Sequence, residues 1–341
     1  MTNILNFDIS NTKKNIKDFK VKNNRIFLPW VEKYRPNKLD DIILDEITKN
    51  KMTNFLMKSE ISNMIITGHP GTGKTTTILC LARQIYENDF NEHVIEYNAS
   101  DNRGLETINN SIIYFCKKKC KPNLQKLVIL DEADNITKKA QNTLCNLMEL
   151  YNKTTKFVLT CNDYNKLIEG IQTRCLIIRY NSLLPSLIKD RLTYICEKEN
   201  ITYNDEGLDA IIFISQGDVR IAINCLESTY FGFKKITYKN VYKICEKPSK
   251  MEIIELLKLC KGNKNILNII NRTLKLKIDG YCNNDIILTL INVIKEFDYD
   301  NGIKIKLIEI ASMSYIVIND GTDTDLQLLN CIIKIYKVLN E

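Results

Sequence analysis

The chain has 341 residues, which at roughly 100–200 residues per domain predicts two or three domains. Hydrophobic residues make up 44% and charged residues 26%, so the chain can bury a core and wholesale disorder is excluded. The net charge of +7 permits an anionic partner without proving one. No apolar run is long enough for a membrane helix and the N-terminus lacks the apolar segment of a signal peptide, so we expect no membrane partner.

The first part of the chain predicts an α/β domain. Residues 1–27 are polar and predict a poorly ordered tail, whereas over 28–184 short apolar runs alternate with amphipathic stretches. Apart from the second, the predicted strands are nearly continuous apolar runs, as expected for strands covered on both faces. This alternation predicts a parallel sheet. The strands are predicted at Met64–Thr67, Val94–Asn98, Leu127–Leu130, Phe157–Cys161 and Leu176–Arg179.

The pattern becomes helical after Pro185, apart from one short strand predicted near Lys235. Residues 185–246 predict a small helical domain, and the stretch EKPSK reads as a linker. Residues 247–341 predict a second helical domain with wide apolar stripes. Such stripes fit packing against other subunits and fit a self-contained bundle equally well.

Twelve cysteines are spread along the chain without a CxxC pair, and there are only two histidines. Zinc sites need ligands at short, paired spacings, so we expect no zinc. Most of the cysteines lie inside apolar runs, which favours buried, reduced thiols.

The strongest motif is GHPGTGKT at Gly68–Thr75, between a predicted strand and a helical run. This is the pattern and the context of a phosphate-binding loop. Its glycines let backbone N–H groups converge on phosphates, and the helix N-terminus adds partial positive charge. Lys74 is predicted to reach the β- and γ-phosphates of ATP, and Thr75 to ligate Mg²⁺. The predicted ATP-binding residues of this segment are Gly68, Pro70, Gly71, Thr72, Gly73, Lys74, Thr75 and Thr76.

A second motif, LDEAD, ends the predicted strand Leu127–Leu130. The strand delivers Asp131 to the edge of the sheet, where its carboxylate can hold Mg²⁺ through water. Glu132 is then placed to polarise the attacking water as a base. Together with the phosphate loop, these residues predict an ATPase.

Six motifs follow one another in a recognisable order: WVEKYRP at 30–36, the phosphate loop, NASDNRG at 98–104, LDEAD at 130–134, TRC at 173–175 and GDVR at 217–220. This series resembles the small subunits of replication factor C, the AAA+ sliding-clamp loader, and most closely its second subunit. The resemblance is dense over 28–250 and thin beyond. It implies a AAA+ core with a parallel five-stranded sheet, a helical lid and a C-terminal all-helical collar domain.

The resemblance also implies residue roles. Asn162 matches the sensor that orients water near the γ-phosphate, and Arg220 matches the second sensor, which contacts the γ-phosphate of the same subunit. Arg174 matches the arginine finger, which acts in trans on a neighbour's ATP, a role that suits a permanently charged, forked guanidinium. The segment that lies against the adenine is matched by Val31, Tyr34, Arg35 and Pro36. For Trp30 and Tyr34, packing in the core is the alternative.

The partners implied by the resemblance are four other replication factor C subunits, the ring-shaped clamp PCNA and primer–template DNA, in the nucleus. The DNA-binding candidates are Asn102, Arg103, Thr137 and Lys138, which would offer cations or helix N-termini to phosphates. The clamp-binding candidates are Ile112, Tyr114 and Phe115 on a helix predicted over Leu105–Cys116. Plain core packing is the alternative for this apolar face.

One departure from the family pattern leaves a second function open. The helix after LDEAD lacks the family's pair of arginines and has Cys145 and Asn146 before Met148 and Glu149. The chain is therefore either an active ATPase subunit or a nucleotide-gated scaffold that barely hydrolyses ATP and supplies Arg174 to its neighbour. A homo-oligomeric branch-migration motor is disfavoured by the TRC context of Arg174.

Overall fold

The computed structural model describes residues 28–58, 61–100, 105–118, 124–245, 247–262 and 265–340. The chain forms two compact units. The first unit extends to Leu183 and also includes Asp218–Glu227, and the second comprises Leu184–Gly217 and the chain from Ser228 onward. The candidate active site lies entirely within the first unit.

The first unit is built on a five-stranded sheet with the order β2-β3-β4-β1-β5, in which every paired strand is parallel. This confirms the predicted parallel sheet. Because β1 lies between β4 and β5 while the chain continues from β1 to the far edge, the strand order reverses beside β1. Ligands of such sheets bind at the carboxyl ends of the strands at this point. The strands are β1 Met64–Gly68, β2 Val94–Asn98, β3 Lys126–Asp131, β4 Thr155–Cys161 and β5 Leu176–Tyr180.

Both faces of this sheet are buried, which explains the continuous apolar runs of the sequence. Successive strand residues point to opposite faces, so Ile66 and Ile129 belong to one core cluster, and Ile65 and Val128 to another. Helices cover each face. The helices of the first unit are α1 Trp30–Lys33, α2 Glu46–Lys58, α3 Lys74–Tyr86, α4 Phe90–His93, α5 Leu105–Lys117, α6 Lys138–Leu150 and α7 Glu169–Gln172.

The second unit is helical, as predicted, except for a two-stranded parallel sheet. Its strands are β6 Thr202–Tyr203 and β7 Lys235–Ile236. The sequence predicted the second of these strands and missed the first, since two residues are too few to show a period. The helices are α8 Pro185–Lys198, α9 Asp205–Ser215, α10 Val219–Phe233, α11 Tyr238–Ile244, α12 Lys250–Gly262, α13 Ile266–Ile278, α14 Asn283–Glu296, α15 Asn301–Asn319 and α16 Asp325–Asn340. Helix α10 begins in the first unit and ends in the second.

Three general features of the described residues bear on function. None of their helices is long and apolar enough to cross a membrane. The cysteines that the structure describes are free thiols, of which Cys80, Cys161 and Cys196 are buried and Cys282 is exposed. The described part of the chain has no group of three or more His, Cys, Asp or Glu side chains that could hold a metal ion.

Candidate active site

The phosphate loop leaves β1 at Gly68 and enters α3 at Lys74. Gly68 lies so close to β5 that a Cβ on it would be 2.5 Å from the carbonyl oxygen of Tyr180. Gly71 and Gly73 have φ angles of 71° and 87°, which favour glycine. A Cβ on Gly71 would also lie 1.8 Å from Oδ1 of Asp218. Glycine is therefore required at these positions, by close neighbours at Gly68 and Gly71 and by backbone conformation at Gly71 and Gly73.

Lys74 lies in the hollow of this loop. Its Nζ donates hydrogen bonds to the carbonyl oxygens of Gly68 and His69, both at 2.8 Å, and to Oδ1 of Asn162 at 3.0 Å. Burial lowers the pKa of Lys74, and the nearby guanidinium of Arg220 lowers it further. Gly73 has no side chain to cap α3, so the N–H groups of the first turn are left for an anion. The structure thus brings a cation and a helix N-terminus together.

Asp131 ends β3 beside the first turn of α3. Its Oδ1 accepts a hydrogen bond of 2.9 Å from the hydroxyl of Thr75 and another from the hydroxyl of Thr160 on β4. The backbone N–H of Glu132 donates to the same oxygen at 3.1 Å. The predicted pair of Thr75 and Asp131 is therefore in contact, although the two residues are far apart in the sequence.

Glu132 follows in a left-handed backbone conformation, with φ of 53°. Such a conformation is uncommon outside glycine and is found at functional sites. The Oε2 of Glu132 accepts a hydrogen bond of 3.3 Å from Nδ2 of Asn135. The turn aims the two adjacent carboxylates, Asp131 and Glu132, into one cavity.

Arg220 enters the same cavity from the first turn of α10. Asp218 directly precedes this helix, and its Oδ1 accepts hydrogen bonds from the backbone N–H groups of Arg220 at 2.8 Å and Ile221 at 3.2 Å. The same carboxylate lies against Gly71 of the phosphate loop. Asp218 therefore ties the start of the helix that carries Arg220 to the loop.

The cavity gathers most of the residues predicted to bind and hydrolyse ATP. Its lining consists of Pro70, Gly71, Thr72, Gly73, Lys74, Thr75, Asp131, Glu132, Thr160, Cys161, Asn162 and Arg220. Gly68, the last residue of β1, and Thr76, in the first turn of α3, lie outside this lining. Thr160 was not predicted to belong to the site, and its position on a predicted strand, two residues before Asn162, is the one hint that the sequence offers.

The predicted adenine segment lies outside the lining of this cavity. Trp30 is buried, with 4% of its surface exposed, so core packing applies to this residue. Its backbone N–H donates to Oε2 of Glu227 at 3.0 Å, and the carbonyl oxygen of Pro36 accepts from Sγ of Cys80 on α3 at 3.0 Å. Val31, Tyr34 and Arg35 are half-buried. The segment is thus fixed against α3 and α10, which carry Lys74 and Arg220.

Arg174 lies away from the cavity, at the surface. Its Nε and Nη2 both donate to Oε1 of Glu149, the former at 2.9 Å, and its Nη1 donates to the carbonyl oxygen of Gly170 at 2.7 Å. These hydrogen bonds and the negative charge of Glu149 raise the pKa of Arg174. Cys145 lies next to this cluster: a Cβ on Gly170 would be 3.0 Å from its Sγ.

The clamp-binding candidates need a correction. Ile112 and Phe115 are buried in the core of the first unit, with 1% and 8% of their surfaces exposed, because this face of α5 packs on the sheet. They follow the alternative of plain core packing. Tyr114 is 75% exposed and is the one candidate of the three on the surface.

The DNA-binding candidates divide between described and undescribed parts of the chain. Asn102 and Arg103 lie outside the described residues, as does the tail at 1–27. Thr137 caps α6 by accepting a hydrogen bond from the N–H of Ala140 at 3.5 Å, and Lys138 is exposed in the first turn. The predicted helix start at these residues is therefore present.

Three family models match successive parts of the chain. The model of the ATPase family associated with various cellular activities matches residues 64–183, and the model of the RCF1/5-like AAA+ ATPase lid domain matches residues 190–231. The model of the replication factor C C-terminal domain matches residues 248–334. Replication factor C subunit 4 of Schizosaccharomyces pombe is 38% identical over 324 residues, which cover 94% of each chain. The chain belongs to the replication factor C family.

Replication factor C subunit 2 of Arabidopsis thaliana is also 38% identical, over 318 residues that cover 90% of this chain and 92% of that one. The predicted resemblance to replication factor C small subunits is confirmed, and identity does not distinguish the second subunit from the fourth. The chain is a AAA+ ATPase subunit of a clamp loader and acts in DNA replication. The scaffold alternative is not favoured.

The replication factor C chain also shares its fold with solved structures of AAA+ ATPases. The RuvB Holliday junction branch migration motor of Thermotoga maritima matches with a TM-score of 0.51 and 17% identity, over 72% of this chain and 87% of that chain. At this identity the likeness shows the fold alone. The match supports the AAA+ architecture and says nothing about whether this chain acts in branch migration.

Proposed function

We propose that this replication factor C chain binds ATP with Mg²⁺ and hydrolyses it as one of five subunits of a clamp loader. The loader would open PCNA and place it on primer–template DNA in the nucleus. The observation that carries the proposal is the pair of contacts in the cavity, Lys74 with Asn162 and Thr75 with Asp131. These contacts join the phosphate loop to the ends of β3 and β4, where ATP chemistry is expected.

The oxygen atoms of Thr75 and Asp131 in the cavity are suitable ligands for Mg²⁺. This ion prefers oxygen ligands, keeps several waters and is held by one or two protein groups together with substrate phosphates. The hydroxyl of Thr75 and the carboxylate of Asp131 are 2.9 Å apart and supply such groups. Thr75 would hold the ion directly and Asp131 through water. When bound, Mg²⁺ neutralises charge that develops on the phosphates.

The other lining residues have separable roles. Lys74 binds the β- and γ-phosphate oxygens, exchanging its present carbonyl partners for anionic ones. Asn162 orients the attacking water with its amide, and Glu132 polarises that water and accepts its proton. Arg220 binds the γ-phosphate of the same subunit. Each of these side chains already faces the cavity.

Hydrolysis would be completed between subunits. Arg174 lies outside its own cavity and is exposed, so it is available to a neighbour. A guanidinium at the γ-phosphate stabilises charge in the transition state. We assign Arg174 this role in trans, and we expect the isolated chain to bind ATP well and to hydrolyse it slowly.

The division into domains supports assembly. We place the ATPase core at 28–184, the lid at 185–246 and the collar at 247–341. In the collar, α15 leaves Ile305, Met313 and Ile316 exposed at 68%, 63% and 52%. Their spacing places them along one face of the helix. An exposed apolar face of this kind supports packing against the other four subunits.

DNA and the clamp would be bound by surface residues of the core. The N-terminus of α6, with Thr137 and Lys138, offers backbone N–H groups and a cation to DNA phosphates, together with Asn102 and Arg103. Binding of this kind is independent of sequence and weakens with salt. Tyr114 remains the candidate for the clamp, because a large exposed aromatic side chain is typical of interface centres.

The proposal is tested by Glu132→Gln in the assembled complex, with the catalytic glutamates of the other sites already replaced. We expect ATP binding to persist and single-turnover hydrolysis at this site to disappear, because the amide cannot accept a proton from water. Glu206→Gln, at an exposed position of α9, serves as the matched control and should leave hydrolysis unchanged. Undiminished hydrolysis by Glu132→Gln would overturn the assignment.

A further inference from the structure

Thr160 is a buried hydroxyl in the active site that no motif singles out. It is the sixth residue of β4 and is 1% exposed. Its hydroxyl donates to Oδ1 of Asp131 on the neighbouring strand. Because Thr160 itself is buried, water cannot readily replace its hydroxyl as a donor if the hydroxyl is removed.

The sheet itself brings these two side chains together. Strands β3 and β4 are parallel, and Leu130 lies opposite Leu159 in their register. One residue further along, Asp131 and Thr160 therefore lie side by side. Side chains alternate between faces, so both residues share the face of Ile129 and Val158, which belong to the core cluster under α3. The contact follows from strand register and does not depend on a flexible loop.

Asp131 is held from two sides. Thr75 donates to it from α3, and Thr160 donates to it from the sheet. Within the described part of the chain, the hydrogen bonds found at this carboxylate end on Oδ1, which leaves Oδ2 for a water of the ion's shell. Thr75 is itself an expected ligand of the ion, whereas Thr160 is not, and it donates to Asp131 from the neighbouring strand.

We propose that Thr160 is a positioning residue, which fixes the carboxylate of Asp131 for binding Mg²⁺ with nucleotide. The inference rests on the proposed Mg²⁺ site and adds a residue to it. Thr160 touches neither phosphate nor metal and acts through Asp131. Its loss should weaken metal binding to the nucleotide complex and leave nucleotide binding without metal unchanged.

The experiment measures Mn²⁺, a paramagnetic substitute for Mg²⁺, bound to the full chain with the non-hydrolysable analogue adenosine 5′-(β,γ-imido)triphosphate. Electron paramagnetic resonance reports the free Mn²⁺. We compare Thr160→Val, which keeps the shape, with Thr160→Ser, which keeps the hydroxyl. We expect about tenfold weaker Mn²⁺ affinity for the valine variant, because it loses one charge-assisted hydrogen bond. The serine variant should bind Mn²⁺ with near-normal affinity. Thr160→Ala repeats the test without the packing demand of valine.

Nucleotide affinity in EDTA and thermal melting separate positioning from folding. The inference holds when the valine and alanine variants melt as folded proteins, bind the analogue normally in EDTA and lose Mn²⁺ affinity. It is overturned, with the Mg²⁺ site left standing, when wild type binds Mn²⁺ and both variants match it. Equal losses in the serine and valine variants also overturn it. Failure of the wild-type nucleotide complex to bind Mn²⁺ overturns the proposed metal site as well.

Discussion

The nucleotide cavity and the surface around Arg174 differ in how their charged groups are held. In the cavity, buried donors hold more open acceptors: Lys74 contacts Asn162, and Asp131 accepts from Thr75 and Thr160. At the surface, the side chains of Arg174 and Glu149 are 39% and 56% exposed. The contacts of the cavity are complete within one subunit, whereas the side chain of Arg174 can bind to another molecule.

This difference follows from the cost of burying charge. A buried polar group without a partner is expensive, so the buried Lys74, Thr75 and Thr160 form contacts even in the isolated chain. An exposed ion pair contributes little to stability and is screened by salt. Arg174 can therefore leave Glu149 for a more highly charged phosphate at small cost. The comparison predicts that binding and hydrolysis of ATP fail separately.

The largest expected effect comes from Arg174→Ala. In the assembled complex, we expect hydrolysis at the neighbouring site to fall about a thousandfold, the lower end of what an arginine finger contributes. The ATP affinity of this chain should not change, because Arg174 is absent from its own cavity lining. Arg272→Ala is a matched control, since Arg272 also pairs at the surface, with Glu255 at 2.8 Å. Site-resolved single-turnover kinetics would contradict the assignment by showing normal hydrolysis at every site.

A smaller effect, on ATP binding instead of hydrolysis, is expected from Lys74→Ala. The ATP affinity of the isolated chain should fall about a hundredfold, since a charge-assisted contact to phosphate is worth roughly 1.5–3 kcal/mol and Lys74 reaches two phosphates. Lys51→Ala, at an exposed position of α2, controls for the loss of one positive charge. Calorimetric titration measures both. Near-normal ATP affinity in Lys74→Ala would contradict the role of the cavity.

The sequence predicted the cavity well where its chemistry is local. The phosphate loop is recognisable from eight consecutive residues, because the left-handed backbone of Gly71 and Gly73 and the charge of Lys74 must lie close together in the sequence. Asp131 and Glu132 were found for the same reason, since they directly end an apolar strand. The resemblance to replication factor C implied Asn162 and Arg220, and both line the same cavity.

Contacts set by register and packing were not predicted. Thr160 contacts Asp131 because of the register in which β3 and β4 pair, and this register cannot be predicted from the sequence. Arg174 and Glu149 are 25 residues apart and meet at the surface. Ile112 and Phe115 have the apolar character of an interface and of a core alike, and only the position of α5 on the sheet assigns them to the core.

The most direct test of the account is ATP hydrolysis by the isolated wild-type chain, measured beside the same chain in its complex. ATP binding is measured in both samples. The account predicts that the isolated chain binds ATP and hydrolyses it at least about a hundredfold more slowly than it does in the complex, because no neighbour supplies a finger. Equal rates in the two samples would show that the cavity is sufficient by itself and would contradict the separation of binding from hydrolysis.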